Sequence, residues 1–105
     1  MNTRGLNESA PEPVIRRHVR VFGRVQGVGF RYSAVAEAER LGVTGWVRNM
    51  FSGDEVQTEI EGSASAVAEM VEWLRVGPRW CRVTRIEVAE AVPRGDRDYT
   101  VVADG

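Results

Sequence analysis

The chain has 105 residues, 43% hydrophobic and 28% charged, with a formal net charge of −1. That length and balance suit one globular domain with a single core, and the charge argues against a dedicated nucleic-acid binder. No apolar run is long enough to span a bilayer, and the one cysteine, Cys81, supplies neither an internal disulfide nor a metal cluster.

Residues 1–15 (MNTRGLNESAPEPVI) are polar, contain two prolines and lack an apolar period. They are expected to form a flexible tail before one domain spanning residues 16–105. No apolar h-region opens the chain, so the cytoplasm is the expected location. From Arg16 the pattern alternates, with Val19 and Val21 on one side and His18, Arg20 and Phe22 on the other, which predicts a strand ending at Gly23. A loop with Gly27 and Gly29 follows. From Phe30 to Leu41 the period becomes helical, with Phe30, Ala34, Ala38 and Leu41 on one side and Gly42 as the stop signal.

Val43 to Asn49 reads as a second strand and Val56 to Glu61 as a third, joined by Ser52-Gly53-Asp54, which is hairpin chemistry. In the third strand Val56, Thr58 and Ile60 oppose Glu55, Gln57, Glu59 and Glu61, so one face is expected to be buried and the other solvated. Ser63 is placed to cap a helix whose stripe is Val67, Met70, Val71 and Leu74, and Gly77-Pro78 ends it. Cys81 to Val88 is expected as a fourth strand, with a parity shift between Val83 and Ile86 that predicts a bulge or twist. After a turn over Pro93 to Asp98, Tyr99 to Val102 forms a short final strand. The order βαββαβ predicts an α+β, ferredoxin-like sandwich: two helices on one face of an antiparallel sheet, with a short C-terminal edge strand.

The loop between the first strand and first helix carries the chemistry. Gly27 and Gly29 permit positive φ and a close approach to a ligand. Free N–H groups at a helix start, aided by the helix dipole, favour an anion, and Arg31 can hold the same anion with a planar fork. A phosphate cradle and a simple tight connection both fit these residues. The loop is neither a P-loop nor a dinucleotide fingerprint, because the required endings and spacing are missing. All fourteen basic residues are arginine, so no Schiff-base lysine exists and no guanidinium acts as a base at neutral pH.

VQGVGFR at Val25–Arg31 resembles the signature loop of the acylphosphatase family, and LGVTGWVRN at Leu41–Asn49 resembles its second signature. Glu61-Gly62, Gly77-Pro78 and the closing strand at Tyr99 match in order. The hairpin MFSGDEV departs by one extra residue, and Ser52-Gly53 stands where the family often has Asp-Gly. The resemblance implies the ferredoxin-like fold and hydrolysis of small acyl phosphates to carboxylate and phosphate. It implies a phosphate held by the backbone of Val25, Gln26, Gly27, Val28, Gly29 and Phe30 together with Arg31, and a water positioned by Asn49. No metal, cofactor or covalent enzyme intermediate is implied. From parity alone Asn49 falls with Val43 and Val47, toward the core, where it would need partners for its amide.

Other residues take structural readings more readily. His18 lies opposite Val19 and Val21, and Cys81 is a small residue at a strand start. Trp46 and Trp73 are expected to pack, and Trp80 to be partly exposed beside Pro78. Two arginine groups, Arg16/Arg17/Arg20/Arg24 and Arg75/Arg79/Arg82/Arg85, could be polyanion patches or faces balanced by nearby glutamates. The partners expected are a small acyl phosphate, no nucleic acid and no membrane, for a monomer. An RNA-binding sheet is opposed by the glutamate row of the third strand. The similar domain that opens larger hydrogenase-maturation proteins is followed there by zinc-binding cysteine motifs, which this sequence lacks.

Overall fold

The computed structural model describes residues 12–105. The tail expected over residues 1–15 therefore lies largely outside the described residues. The first strand, β1, spans Val14–Arg24, beginning two residues before the expected Arg16. Helix α1 follows at Phe30–Leu41, then β2 at Thr44–Asn49, β3 at Glu55–Ser63, helix α2 at Ala64–Val76, β4 at Arg82–Ala91 and β5 at Tyr99–Val101. The five strands form one sheet in the order β4-β1-β3-β2-β5.

The helices end where local chemistry dictates. Gly42 closes α1 in the left-handed conformation at φ 73°, and Ser63 Oγ caps α2 by accepting from the Ala66 N–H. Phe30, Ala34 and Ala38 of α1 and Val67, Met70 and Leu74 of α2 are buried. They pack against Val19, Val21, Val47, Val56 and Ile60 of the sheet, so the strand and helix periods point into the same core.

The bulge falls inside the predicted window. Phe22 pairs with Arg85 and Gly23 with Val83, so Thr84 is the extra residue on β4. Its hydroxyl donates to the Phe22 carbonyl at 3.1 Å. Gly23 is required there: a Cβ at this position would stand 2.1 Å from the Arg82 carbonyl oxygen.

Two expectations change. The sheet is mixed rather than antiparallel, because β5 runs parallel to β2. The chain leaves β4 at one edge and reaches the other by passing over the helix-free face. The Arg94 and Gly95 N–H groups donate to Glu61, and Asp96 accepts from Arg16. That face is consequently not simply solvated. Arg16 is fully buried, and Glu55 and Glu61 are each only 6% exposed. Arg16 bonds Glu59 at 2.6 Å and Glu61 at 2.9 Å, His18 Nδ1 lies 2.9 Å from Glu59, and Arg20 bonds Glu55 at 2.7 Å. The glutamate row is thus largely taken up by basic residues of β1. Burial raises the Glu61 carboxyl, but donation from Arg94, Arg16 and Gly95 outweighs it and holds it below the usual range. No helix among the described residues is long and apolar enough to cross a membrane.

Candidate active site

The register gathers one end of the sheet. Phe22 lies opposite Glu55, Arg24 opposite Arg82, and Asn49 opposite Val56. The β1–α1 loop, the β2–β3 hairpin, the α2–β4 connection and the C-terminus therefore share that end.

The loop is anchored by Val25 and Phe30, each about 1% exposed. Phe30 packs on Trp73, ring centroids 5.6 Å apart. Between these anchors Gly27 is exposed at φ 74°, Val28 is half-buried and Gly29 is exposed at φ 81°. Gly29 occupies the N-cap position of α1. It provides no side-chain cap, and the first turn holds no carboxylate. Among the described residues, no backbone N–H of Gln26 to Gly29 donates to another backbone group. A helix start that is neither capped nor internally satisfied presents donors outward, where an anion can accept them. Positive φ at Gly27 and Gly29 is the backbone conformation that a concave nest of amides requires.

The Gln26 side chain has a second task that sequence reading missed. Its Nε2 donates to the Met50 carbonyl at 2.7 Å and to the Glu55 carbonyl at 2.9 Å. Gly23 N–H adds a bond to the Asp54 carbonyl at 3.0 Å. The loop is thereby fastened to the hairpin that begins immediately after Asn49.

Asn49 ends β2 on the face of the buried Val47, as parity predicts. Its Oδ1 is buried and accepts no hydrogen bond among the described residues. Most buried amide oxygens find a donor, so such an oxygen calls for an explanation. Arg31, in the first turn of α1, has its side chain 30% exposed with Nη1 3.7 Å from Asp104 Oδ1. The next residue, Gly105, donates its N–H to the Asn49 carbonyl at 3.0 Å and accepts from Phe51 N–H at 2.6 Å. One C-terminal turn therefore touches both Arg31 and Asn49. No sequence signal announced it, because the contact follows from the parallel pairing of β5 with β2.

Of the remaining candidates, His18 falls away from this end, while Cys81 lies in the α2–β4 connection at it. His18 lies in mid-β1, ring edge toward Trp46. Cys81 precedes β4, half-buried, and burial pushes its thiol up against the opposing pull of Arg24. A neutral thiol is a poor nucleophile. No group of three or more His, Cys, Asp or Glu among the described residues is placed to hold a metal ion.

The family profile for acylphosphatase matches residues 17–101. An acylphosphatase of Thermococcus kodakarensis is 48% identical over 88 residues, covering 84% of this chain and 96% of that protein. One from Trichormus variabilis is 46% identical over 95 residues, covering 90% and 93%. Among solved structures, an acylphosphatase from Coxiella burnetii superposes with a TM-score of 0.81 at 36% identity, covering 85% of this chain and 93% of that one.

Proposed function

The chain belongs to the acylphosphatase family, hydrolases of the carboxyl–phosphate bond, and from that premise we propose that Arg31 and the Val25–Phe30 backbone hold the phosphoryl group while Asn49 positions the attacking water. The observation that carries this reading is the buried Oδ1 of Asn49, which has no hydrogen-bond partner among the described residues, at the strand end tied through the C-terminal turn to Arg31. A water that donates one proton to this oxygen directs a lone pair toward phosphorus.

The step balances simply. The water oxygen forms a bond to phosphorus, the bond from phosphorus to the acyl oxygen breaks, and a carboxylate departs with the electron pair. A carboxylate is a good leaving group and needs little acid assistance. Phosphoryl transfer passes through a loose transition state with charge spread over the equatorial oxygens, so positioning and charge stabilisation do most of the work. Amides of Gln26 to Gly29 and the Arg31 guanidinium supply that stabilisation without reorganising. A phosphate oxygen of the substrate accepts the water proton. The reading needs no metal or cofactor, and it takes the protein as a cytoplasmic monomer acting on small acyl phosphates, with no nucleic-acid or membrane partner.

Hydrolysis of benzoyl phosphate by wild type, Arg31→Ala and Asn49→Ala, without added metal, tests the assignment. Each substitution is expected to lower the rate by about 100-fold, the scale for removing one transition-state stabiliser. Chelator is expected to leave the rate unchanged. Full activity in Arg31→Ala removes that residue from the site, and activity lost on chelation defeats the metal-free reading.

A further inference from the structure

The two arginine groups of the sequence divide in the fold. Arg16, Arg20, Arg75 and Arg85 each meet a carboxylate within 3.2 Å. Arg17, Arg24, Arg79 and Arg82 have no carboxylate partner among the described residues; Arg17 donates instead to the Arg16 carbonyl at 3.0 Å, and the other three stand together. One comes from the end of β1, one from the α2–β4 connection and one from the start of β4. The fold brings all three to a single concavity of about 410 Å³, together with Trp80 and Cys81.

This arrangement is costly. Arg24 stands directly opposite Arg82 across the β1–β4 ladder. Directly opposed residues of an antiparallel pair have Cβ atoms about 5 Å apart, and like charges there oppose pairing. Arg79 adds a third positive charge and lies over the Trp80 ring at 5.3 Å. Trp80 itself is 69% exposed, although indole surface is normally withdrawn from water. Packing accounts for none of this, whereas a bound dianion would offset two of the three charges and sit against the aromatic wall.

We infer that Arg24, Arg79 and Arg82, walled by Trp80, form a second phosphate-binding site beside the catalytic loop. Guanidinium forks suit phosphate oxygens, and a planar donor array discriminates them from spherical anions. The cavity is too large for one phosphate alone and admits an organic phosphate whose carbon skeleton lies along Trp80. Arg24 immediately precedes Val25, so the two anion sites share one segment of backbone. Two sources of the phosphate are compatible with this chemistry: the distal phosphate of a doubly phosphorylated acyl phosphate reacting in the loop, or a separate phosphorylated ligand. The first source rests on the proposed role of Arg31 and Asn49; the second does not.

The test is titration of the full chain with inorganic phosphate, followed by calorimetry and by melting temperature. Wild type is expected to bind two phosphates, the Arg79→Gln/Arg82→Gln double variant one, and Arg31→Ala one. Because Arg82→Gln relieves the repulsion with Arg24, the double variant is expected to melt no lower than wild type without phosphate yet to gain less from it, since a ligand stabilises only through the sites it fills. Kinetics then identify the source. If kcat/KM for a bisphosphorylated acyl phosphate falls at least tenfold in the double variant while that for benzoyl phosphate holds, the distal phosphate of the substrate occupies the site. If both substrates hold while the phosphate stoichiometry still drops, a separate ligand occupies it. Two phosphates bound by the double variant would overturn the inference. A wild type with two sites whose Arg31→Ala variant also keeps two would instead count against the catalytic assignment and leave the second site standing.

Discussion

The Asp104 carboxylate stands 3.7 Å from the Arg31 guanidinium, held there because Gly105, the next residue, is bonded to Asn49 and Phe51. A carboxylate at this place competes with a phosphate for the same cation. Asp104→Ala is expected to bind inorganic phosphate, the product, about two- to fivefold more tightly, the worth of one solvent-exposed ion pair. The inhibition constant for phosphate measures it. An unchanged constant would show that Asp104 and phosphate do not compete for Arg31.

Gln26→Ala removes two hydrogen bonds that join the loop to the hairpin. Both carbonyls keep a backbone donor, Gly53 N–H for Met50 and Met50 N–H for Glu55, so the stability cost is that of the lost bonds alone, about 0.5–1.5 kcal/mol each. Because the amides of the loop then lose their fixed position, kcat is expected to fall by about tenfold, since misplaced donors stabilise the transition state less. Urea unfolding and steady-state kinetics on one preparation separate the two effects. A stability loss with unchanged kcat would assign the side chain to the scaffold alone.

Gly29→Ala and Gly23→Ala are expected to fail for different reasons. At Gly29 a Cβ meets nothing within 4 Å, but φ is 81°. The penalty is conformational, about 1–2 kcal/mol for an L-residue in the left-handed region, with activity reduced as the nest relaxes. At Gly23 the Cβ would collide with the Arg82 carbonyl oxygen, so the β1–β4 ladder has to move and the stability loss is the larger of the two. Thermal melts of both variants decide the order.

Arg16→Met is expected to destabilise the fold by about 3–5 kcal/mol, because it strips the shared partner from Glu59, Glu61 and Asp96 and leaves carboxylates under cover. The companion change Glu61→Gln is expected to restore part of the loss. Chemical denaturation of the single and double variants measures the coupling.

The same cluster sets the response to acid. Donation from Arg20 holds Glu55 below the ordinary carboxylate value of 4.5, while for Glu59 and Glu61 burial opposes but does not overcome their donors. In the folded state these groups bind fewer protons than in the unfolded chain through that range. Their contribution is thus fully present above the unfolded value and is lost as pH falls through the folded ones. Unfolding free energy is expected to decline below about pH 5 and to flatten at still lower pH. A Glu61→Gln chain is expected to show a shallower slope in urea titrations at stepped pH.

Much of the fold was legible because its signals are local. The Gly42 and Ser63 caps, the stripes of α1 and α2, and the bulge between Val83 and Ile86 each depend on residues within a few positions of one another. The two family motifs, Val25–Arg31 and Leu41–Asn49, were legible for the same reason: each is a short run of residue types at fixed spacing. The parity that placed Asn49 beside Val47 also holds in the fold.

What the sequence by itself determined is the set of elements, their buried faces and the two short motifs. The tertiary structure alone decided which distant groups meet them. It buried Arg16 among three carboxylates, turned Gln26 into a fastener, brought Asp104 to Arg31 and collected Arg24, Arg79 and Arg82 around one cavity. These contacts join residues tens of positions apart through strand register and the crossing of the chain from β4 to β5. Side-chain periodicity fixes which face a residue takes, but it carries no information about which strand will lie alongside.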